Sequence, residues 1–356
     1  MRHCAMPNDD AAPLETSPIL PMEAKAVAAL PDEPGWQFEP KWDGFRCLAF
    51  KQGGEVKLFA KSGKPLARYF PDIAAALAAL PVADAVLDGE LVIPLGKVLS
   101  FDALQLRLHP AASRVRKLSA EAPATFIAFD LLATGERDLT GEPLTRRRQD
   151  LEKLLAAPLP HIRLSPFTRD RQEALDWLGR LGGALDGVVA KRLDGPYASG
   201  ERAMLKVKSI RTADCVVGGF RYGTGSRMAG SILLGLFNAA GRLDHVGFCS
   251  SFTNAEKPAL TEKLEALAGG LGFTGKAPGG PSRWSTERSA EYVPLRHELV
   301  VEVSFDQVTG DRFRHGTTFQ RWRPDKAPHQ CRFDQLDQPP APPAILAAVT
   351  GSVAPS

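Results

Sequence analysis

Long uninterrupted apolar runs are absent from this sequence, and their absence excludes a membrane-spanning helix. The chain has 356 residues, of which 44% are hydrophobic and 24% charged. A bilayer-crossing helix needs roughly 18 or more consecutive apolar residues, whereas the alanine-rich segment at 74–80 lies between Pro71 and Pro81. We therefore expect a cytoplasmic protein without a membrane partner.

Cysteine is scarce, and its spacing excludes the common paired uses of this residue. The five cysteines, at positions 4, 47, 215, 249 and 331, form no C-x-x-C pair. Disulfide frameworks and cysteine-ligated zinc sites show closer or regular cysteine spacing. Reduced thiols are the simplest expectation.

Neither sign of charge is in large excess. The chain carries 44 basic and 41 acidic residues, a net charge of +3. The total charge therefore says nothing about a nucleic-acid partner, which has to be inferred from local clusters.

The length predicts more than one domain, because a single core rarely extends beyond about 250–300 residues. Residues 1–17 hold prolines and aspartates but no apolar signal core, which predicts a flexible leader. Residues 18–209 mix helices with strands, and residues 213–350 are mainly short strands with glycine-rich turns. We predict an α+β chain, in which antiparallel sheets and helices are followed by a small closed barrel of the OB-fold type.

Lys41 is the residue that most strongly suggests chemistry. Strands are predicted at 36–39 and 45–51, with Lys41 in the turn that Asp43 and Gly44 form between them. A lysine attacks only as the free amine, which is scarce at neutral pH and is favoured by nearby cations. Arg46, the pair Lys206 and Lys208, and a bound divalent metal ion are the candidate cations.

Several carboxylates and one aromatic ring suit the other needs of such a site. Glu39, next to the nucleophile, could recognise a base, and Phe129 could stack on a purine. Glu90 on a strand and Asp186 before Gly187 are candidate metal ligands, since magnesium prefers a few carboxylates together with substrate phosphates.

A basic segment with an interleaved aromatic residue lies near the end of the chain. Its sequence, RWRPDK at 321–326, presents guanidinium groups that could hold a phosphate or a leaving pyrophosphate. Taken alone, such a run is most often a solvated turn. The basic group of Arg146, Arg147, Arg148 and Lys153 is interpreted as a solvated helix face, or as a weak contact for a nucleic-acid backbone.

The order of these motifs along the chain is more specific than any one of them. The motifs lie at 39–44, 59–63, 87–90, 126–130, 186–191, 205–208 and 323–326. In this order the sequence resembles the ATP-dependent DNA ligases of the covalent nucleotidyltransferase superfamily. The resemblance implies a nucleotidyltransferase domain, an ATP-grasp-like adenylation fold, followed by an OB-fold domain.

The resemblance also implies a reaction in three steps, with ATP as AMP donor and Mg²⁺ or Mn²⁺ as metal. Lys41 would attack the α-phosphate of ATP and carry AMP. The AMP would then pass to the 5′-phosphate of a nick, and the 3′-hydroxyl would finally displace the AMP. The resemblance implies that Glu39 and Pro40 contact the adenine, that Arg46 and Glu90 contact the ribose or a phosphate, and that Phe129 stacks on the base. It implies that the α-phosphate is bound by Lys206 and Lys208, and that the first step uses Arg321, Arg323, Asp325 and Lys326. The implied metal ligands are Asp186 and Glu90. Lys61 stands where many members carry arginine, so the roles of Lys61, Lys64 and Arg68 stay open.

The compact form is similar to the small bacterial ligases of type C, which implies a repair role. We expect a monomer that acts on nicked duplex DNA, with a repair polymerase or an end-binding protein as possible partner. An RNA ligase or capping-type enzyme would share the Lys41 chemistry, and a non-catalytic OB-fold module is a further alternative. The non-catalytic module is disfavoured because the chain retains Lys41, Glu90, Lys206 and Lys208.

Overall fold

The structure, a computed structural model, describes residues 19–96, 98–179, 185–279, 291–337 and residue 345. The chain divides into two compact units, with the boundary between Val207 and Lys208. Ile345 belongs to the first unit, where it is buried in the core. Within these ranges no helix combines the length and the apolarity needed to cross a membrane.

The first unit contains two larger sheets, the two-stranded pair of β6 with β7, and most of the helices. Its strands are β1 (Ala24–Ala26), β2 (Trp36–Trp42), β3 (Phe45–Gln52), β4 (Glu55–Ala60), β5 (Ala85–Val92), β6 (Pro94–Leu95), β7 (Val98–Leu99), β8 (Thr125–Thr134), β9 (Arg137–Asp138), β10 (Ile162–Leu164), β11 (Leu185–Arg192) and β12 (Met204–Lys208). Its helices are α1 (Pro71–Ala78), α2 (Phe101–Arg107), α3 (Ala112–Glu121), α4 (Leu144–Leu154) and α5 (Arg171–Gly179). One sheet has the order β1-β12-β11-β2 and the other β10-β8-β5-β3-β4.

The chain crosses from one sheet to the other between β2 and β3, beside Lys41. Gly44 lies in this crossing, and a Cβ there would be 2.1 Å from the carbonyl oxygen of Leu91 in β5. Only glycine fits such a close backbone approach. This contact gives a physical reason for the glycine four residues after Pro40.

Lys41 lies within a strand, so its predicted position in the turn is wrong. β2 continues to Trp42 because its ladder with β11 continues, with Lys41 opposite Gly187. Only Asp43 and Gly44 connect the two strands. The sequence also predicts a helix at 171–181, of which α5 supplies Arg171–Gly179, while residues 180 and 181 lie outside the described residues. Helix α3 was not predicted.

In its described residues the second unit contains a six-stranded antiparallel sheet, a separate two-stranded pair and one α-helix. Its elements are β13 (Arg211–Tyr222), β14 (Ala229–Phe237), β15 (Leu243–Cys249), α6 (Lys257–Glu265), β16 (Val293–Pro294), β17 (Val300–Phe305), β18 (Val308–Thr309), β19 (Arg312–Phe313) and β20 (Thr318–Trp322). The main strands follow the order β15-β14-β13-β17-β20 around one apolar core. This strand order is that of an OB-fold.

The predicted closed barrel is partly open. Among the described residues, one parallel bridge between Cys249 and Thr317 joins β15 to the start of β20. The Thr317 N–H and hydroxyl both donate to the Phe248 carbonyl at 3.1 Å, and the Phe319 N–H donates to the Ser251 hydroxyl at 2.8 Å. Side-chain hydroxyls thus supply contacts that a continuous ladder would supply in a closed barrel.

Two arginines of helix α4 are buried, which corrects their interpretation as a solvated face. Arg147 is 1% exposed, and its Nε and one terminal nitrogen donate to Asp130 at 2.8 and 3.1 Å. Its other terminal nitrogen donates to the carbonyls of Glu142 and Gly195. Arg148, also buried, donates to the Ser165 carbonyl. Arg146 and Lys153 are exposed.

Replacing Arg147 tests the contribution of this pair to folding. We expect Arg147→Ala to lower the free energy of unfolding by about 3–5 kcal/mol, because Asp130 is left buried without a counter-charge. Arg146→Ala is the matched control, with an expected cost below about 1 kcal/mol, because Arg146 is exposed and its partner Asp150 keeps Arg137 and Lys153 as counter-charges. Urea titrations followed by circular dichroism measure the free energy of unfolding of both variants. Equal losses would contradict the contribution of the Arg147–Asp130 pair to folding.

His245 of β15 makes the stability of the protein depend on pH. Burial, helped by Arg312 and Arg221, lowers the pKa of His245 to about 3. The neutral form is therefore favoured in the folded chain, so its contribution is complete above about pH 6.5 and is lost as pH falls towards 3. The free energy of unfolding falls as pH is lowered from 6.5 to 4.5, and His245→Gln should reduce this slope by about 1.4 kcal/mol per pH unit.

Urea titrations at several pH values measure this slope. Exposed His329 provides the control, since His329→Gln should leave the slope as in the parent protein. A parent slope retained in His245→Gln would show that other groups cause the pH dependence.

Candidate active site

A cavity of about 220 Å³ lies in the first unit beside the sheet crossing. Strands β2, β3, β5, β8 and β12 all contribute to its wall. The structure brings seven of the predicted residues together there: Glu39, Pro40, Lys41, Arg46, Glu90, Phe129 and Lys206.

Lys41 is ion-paired with Asp186 through Nζ and Oδ2. Asp186 occupies a β-bulge, since Leu185 pairs with Trp42 and Gly187 pairs with Lys41. A bulge turns the side chain of its extra residue away from the regular alternation. The ladder between β2 and β11 therefore fixes both partners of the ion pair.

Arg46 is anchored by a buried carboxylate that the sequence analysis did not single out. Its Nε and one terminal nitrogen donate to the two oxygens of Asp88, each at 2.5 Å. The Tyr197 hydroxyl donates to Asp88 at 2.7 Å and accepts from the Met22 N–H at 2.9 Å. Burial opposes the charge of Arg46, but Asp88 outweighs it and raises the arginine pKa.

Glu39 lies in a buried polar network at the back of the cavity. Gln37 Nε2 donates to its Oε1, and Lys191 Nζ lies 2.9 Å from its Oε2. The Phe129 ring centroid is 4.6 Å from Lys191 Nζ and 4.6 Å from Arg46 Cζ. Gln37 and Lys191 were missed as site residues. Side chains alternate along β2, which puts Gln37 and Glu39 on one face, and this pattern could have identified Gln37.

Glu90 and Asp186 are the two carboxylates that the sequence predicts as metal ligands, and Glu90 lines the cavity. Burial raises the pKa of Glu90 to about 8, although Arg46 and Lys41 act against this. Among the described residues no group of three His, Cys, Asp or Glu could hold a metal ion. Two carboxylates fit magnesium, which keeps several waters and uses substrate phosphates as ligands.

The structure shows which cavities are lined by the three basic residues whose roles the sequence leaves open. Lys61 lines the cavity and pairs with Glu23 at 2.9 Å. Lys64 and Arg68 line a neighbouring cavity of about 890 Å³, which Lys61 also borders. Arg68 donates to the Pro110 carbonyl at 2.9 Å.

Lys208 and Lys206 differ in their surroundings. Lys206 lines the cavity of the first unit. Lys208, the first residue of the second unit, lies 2.8 Å from Asp306, which also contacts His315. Burial opposes the charge of Asp306, but hydrogen bonds from Lys208 and His315 outweigh it and lower its pKa to about 2.

The basic segment of the second unit is held by carboxylates of that unit. Arg321 pairs with Glu302 at 2.6 Å. One terminal nitrogen of Arg323 donates to both oxygens of Asp214, at 2.9 and 3.0 Å, and Lys326 Nζ donates to Asp214 at 2.7 Å. Asp325 accepts from Arg323. Asp214, which was not predicted, is the shared anchor of Arg323 and Lys326.

Two family models match the chain. The model described as ATP dependent DNA ligase domain matches residues 19–208. The model described as ATP dependent DNA ligase C terminal region matches residues 225–326.

Known proteins are similar over most of the chain. DNA ligase C2 of Mycolicibacterium smegmatis is 46% identical over 340 residues, which cover 91% of this chain and 95% of the relative. DNA ligase C of Mycobacterium tuberculosis is 42% identical over 341 residues, which cover 90% and 94%.

A solved structure supports the fold. The structure described as "Pmar-Lig_Pre." has a TM-score of 0.58 at 20% identity, covering 85% of this chain and 68% of that one. At this identity the likeness concerns the fold alone. The predicted α+β architecture, a nucleotidyltransferase domain followed by an OB-fold, is confirmed. From the family models and the relatives, the chain belongs to the ATP-dependent DNA ligases, and it is of the ligase C type.

Proposed function

We propose that this ligase seals nicks with AMP carried on Lys41, and that it serves DNA repair. The observation that carries the proposal is the position of Lys41 in a cavity wall that also contains Arg46, Glu90 and Lys206. Membership of the DNA ligases argues against the RNA-ligase, capping-type and non-catalytic alternatives.

In the first step the Lys41 amine attacks the α-phosphorus of ATP. A nitrogen–phosphorus bond forms, the bond from the α-phosphorus to the bridging oxygen breaks, and pyrophosphate leaves. Lys41 Nζ donates a hydrogen bond to Asp186 Oδ2, and this carboxylate takes up the proton that the nitrogen loses as it attacks. Arg46 and Lys206 line the cavity in which the transferred phosphate lies, and cations stabilise such a transition state.

Magnesium or manganese, when bound, supplies further positive charge at the phosphates. Asp186 and Glu90 are the residues that would hold it. We assign Glu39 and the backbone around Pro40 to the adenine, and Phe129 to its face.

In the two later steps AMP passes to the 5′-phosphate of a nick and is displaced by the 3′-hydroxyl. We assign Lys206 and Lys208 to the α-phosphate. Arg321, Arg323, Asp325 and Lys326 are assigned to the first step, where guanidinium groups suit a leaving pyrophosphate. We further propose that the enzyme acts as a cytoplasmic monomer, with a repair polymerase or an end-binding protein as partner.

The adduct on Lys41 is directly testable. We expect Lys41→Ala to lose all transfer of label from α-labelled ATP to the protein, because Lys41 supplies the attacking nitrogen. Lys57→Ala, in β4 and outside the cavity wall, is the control and should label at the parental rate. Labelling of Lys41→Ala at that rate would disprove the assignment.

Asp214 provides a test of the basic segment. If Asp214 positions Arg323 and Lys326 for the first step, Asp214→Asn should slow enzyme–AMP formation by about tenfold, or about 1.4 kcal/mol. Sealing of a nick that already carries AMP should stay within about twofold, which also reports an intact fold.

Asp311→Asn replaces an exposed carboxylate of the same unit and should alter neither step. Equal loss of both steps in Asp214→Asn would indicate a folding role. Faster adduct formation would mean that Asp214 withholds the two cations.

A further inference from the structure

We propose that Tyr197 is a positioning residue for AMP transfer, because its hydroxyl fixes both groups that hold the guanidinium of Arg46. The proposal rests on the function proposed above, in which ATP binds in the cavity beside Lys41. Tyr197 is not one of the residues that line this cavity, whereas Arg46 is. Any effect of Tyr197 on the reaction therefore has to pass through its partners.

The position of Tyr197 is set by its packing and by the backbone around it. The residue is 4% exposed, and its N–H donates to the Thr140 carbonyl at 2.8 Å. The carbonyl of Gly195, two residues earlier, accepts from buried Arg147 at 3.0 Å. The Tyr197 ring belongs to a cluster of buried side chains with Met22, Leu48, Phe50, Phe59, Leu132 and Met204. The hydroxyl is thus held at the end of a ring that has little freedom to move.

The Tyr197 hydroxyl makes two hydrogen bonds. It donates to Asp88 Oδ2 at 2.7 Å and accepts from the Met22 N–H at 2.9 Å. Burial raises the pKa of Tyr197, so the hydroxyl keeps the proton that it donates. Loss of this oxygen would remove one donor from a buried carboxylate and the acceptor of a buried N–H, and both groups would have to shift to regain a partner.

Both partners of Tyr197 also bind Arg46, and they bind the same nitrogen. Arg46 Nη2 donates to Asp88 Oδ2 at 2.5 Å and to the Met22 carbonyl at 3.2 Å. Arg46 Nε donates to the other Asp88 oxygen at 2.5 Å. A closed ring of contacts therefore runs from the hydroxyl through Asp88, Arg46 and Met22 back to the hydroxyl. Because the guanidinium is a planar fork, these bonds define its orientation.

The orientation of this plane decides where Arg46 can meet a ligand. A guanidinium carries five N–H donors, and those on Nε and Nη2 bind Asp88 and Met22. The donors of Nη1 make no hydrogen bond within the described part of the chain, and they suit a phosphate oxygen or a ribose hydroxyl. A loosened plane would spread these donors over several directions, and misplaced binding groups slow a transfer reaction.

The experiment is a double-mutant cycle on enzyme–AMP formation, measured in single turnovers with α-labelled ATP. Tyr197→Phe removes the hydroxyl and keeps the packed ring. In the parent background we expect it to slow adduct formation about tenfold, or about 1.4 kcal/mol. In an Arg46→Ala background it should change the rate by less than about twofold, because the residue that transmits the effect is gone.

A second background keeps the cycle measurable if Arg46→Ala forms too little adduct. Arg46→Lys retains the positive charge but has no planar fork, and the expectation for Tyr197→Phe is the same. Urea titrations of all variants identify a temperature at which each is folded, so that the rates report positioning.

Tyr222→Phe is the matched control. The Tyr222 hydroxyl also donates to a carboxylate, Glu265 Oε1 at 2.7 Å, but it lies on the surface of the second unit. Its removal should leave the rate of adduct formation at the parental value.

The outcomes separate the two proposals. A parent protein that takes no label from ATP would refute the proposed function itself. A parent that labels normally, with a rate for Tyr197→Phe within about twofold of it, would overturn the role of Tyr197. A tenfold loss that recurs undiminished without Arg46 would also overturn it, since Tyr197 would then act through the fold or through another residue.

Discussion

Three ion pairs, each with a buried carboxylate, fix side chains around the cavity of the first unit. Arg46 with Asp88, Lys191 with Glu39, and Lys41 with Asp186 all lie at the wall or behind it. Removing such charges from water costs several kcal/mol per ion, and the pairing offsets this cost only when the geometry is good. The pairs are therefore a weak source of stability, and their main effect is to fix the side chains that line the cavity.

This arrangement explains why the strand ladders matter so much to the site. Asp88 lies in the middle of β5, and Glu39 and Lys191 lie in the adjacent strands β2 and β11. Rigid strands hold catalytic groups more accurately than loops do. The crossing at Gly44 then brings the end of β2 against β5, so that Lys41 and Arg46 share one wall.

The sequence predicted the motif residues and most elements, because strand alternation and helix signals are local. It placed Lys41 in the turn because the ladder that extends β2 to Trp42 involves β11, some 145 residues later in sequence. Arg147 looked solvated because its partner Asp130 lies on a different element. Lys191 and Asp214 were missed for the same reason, since each acts through a partner far along the chain. The open side of the barrel depends on hydroxyl contacts that no periodicity shows.

The second unit also contains ion pairs between arginines and carboxylates, and these pairs differ in their exposure to solvent. Arg321 is 64% exposed and pairs with Glu302, so this contact is worth about 0–1 kcal/mol and exchanges easily for a phosphate. Arg323 is 19% exposed and pairs with Asp214, which is 10% exposed, so breaking this contact costs more. A phosphate carries more charge than one carboxylate and can attract both arginines. The difference in burial implies that Arg321 is free to change partner, while Asp214 keeps Arg323 and Lys326 in place.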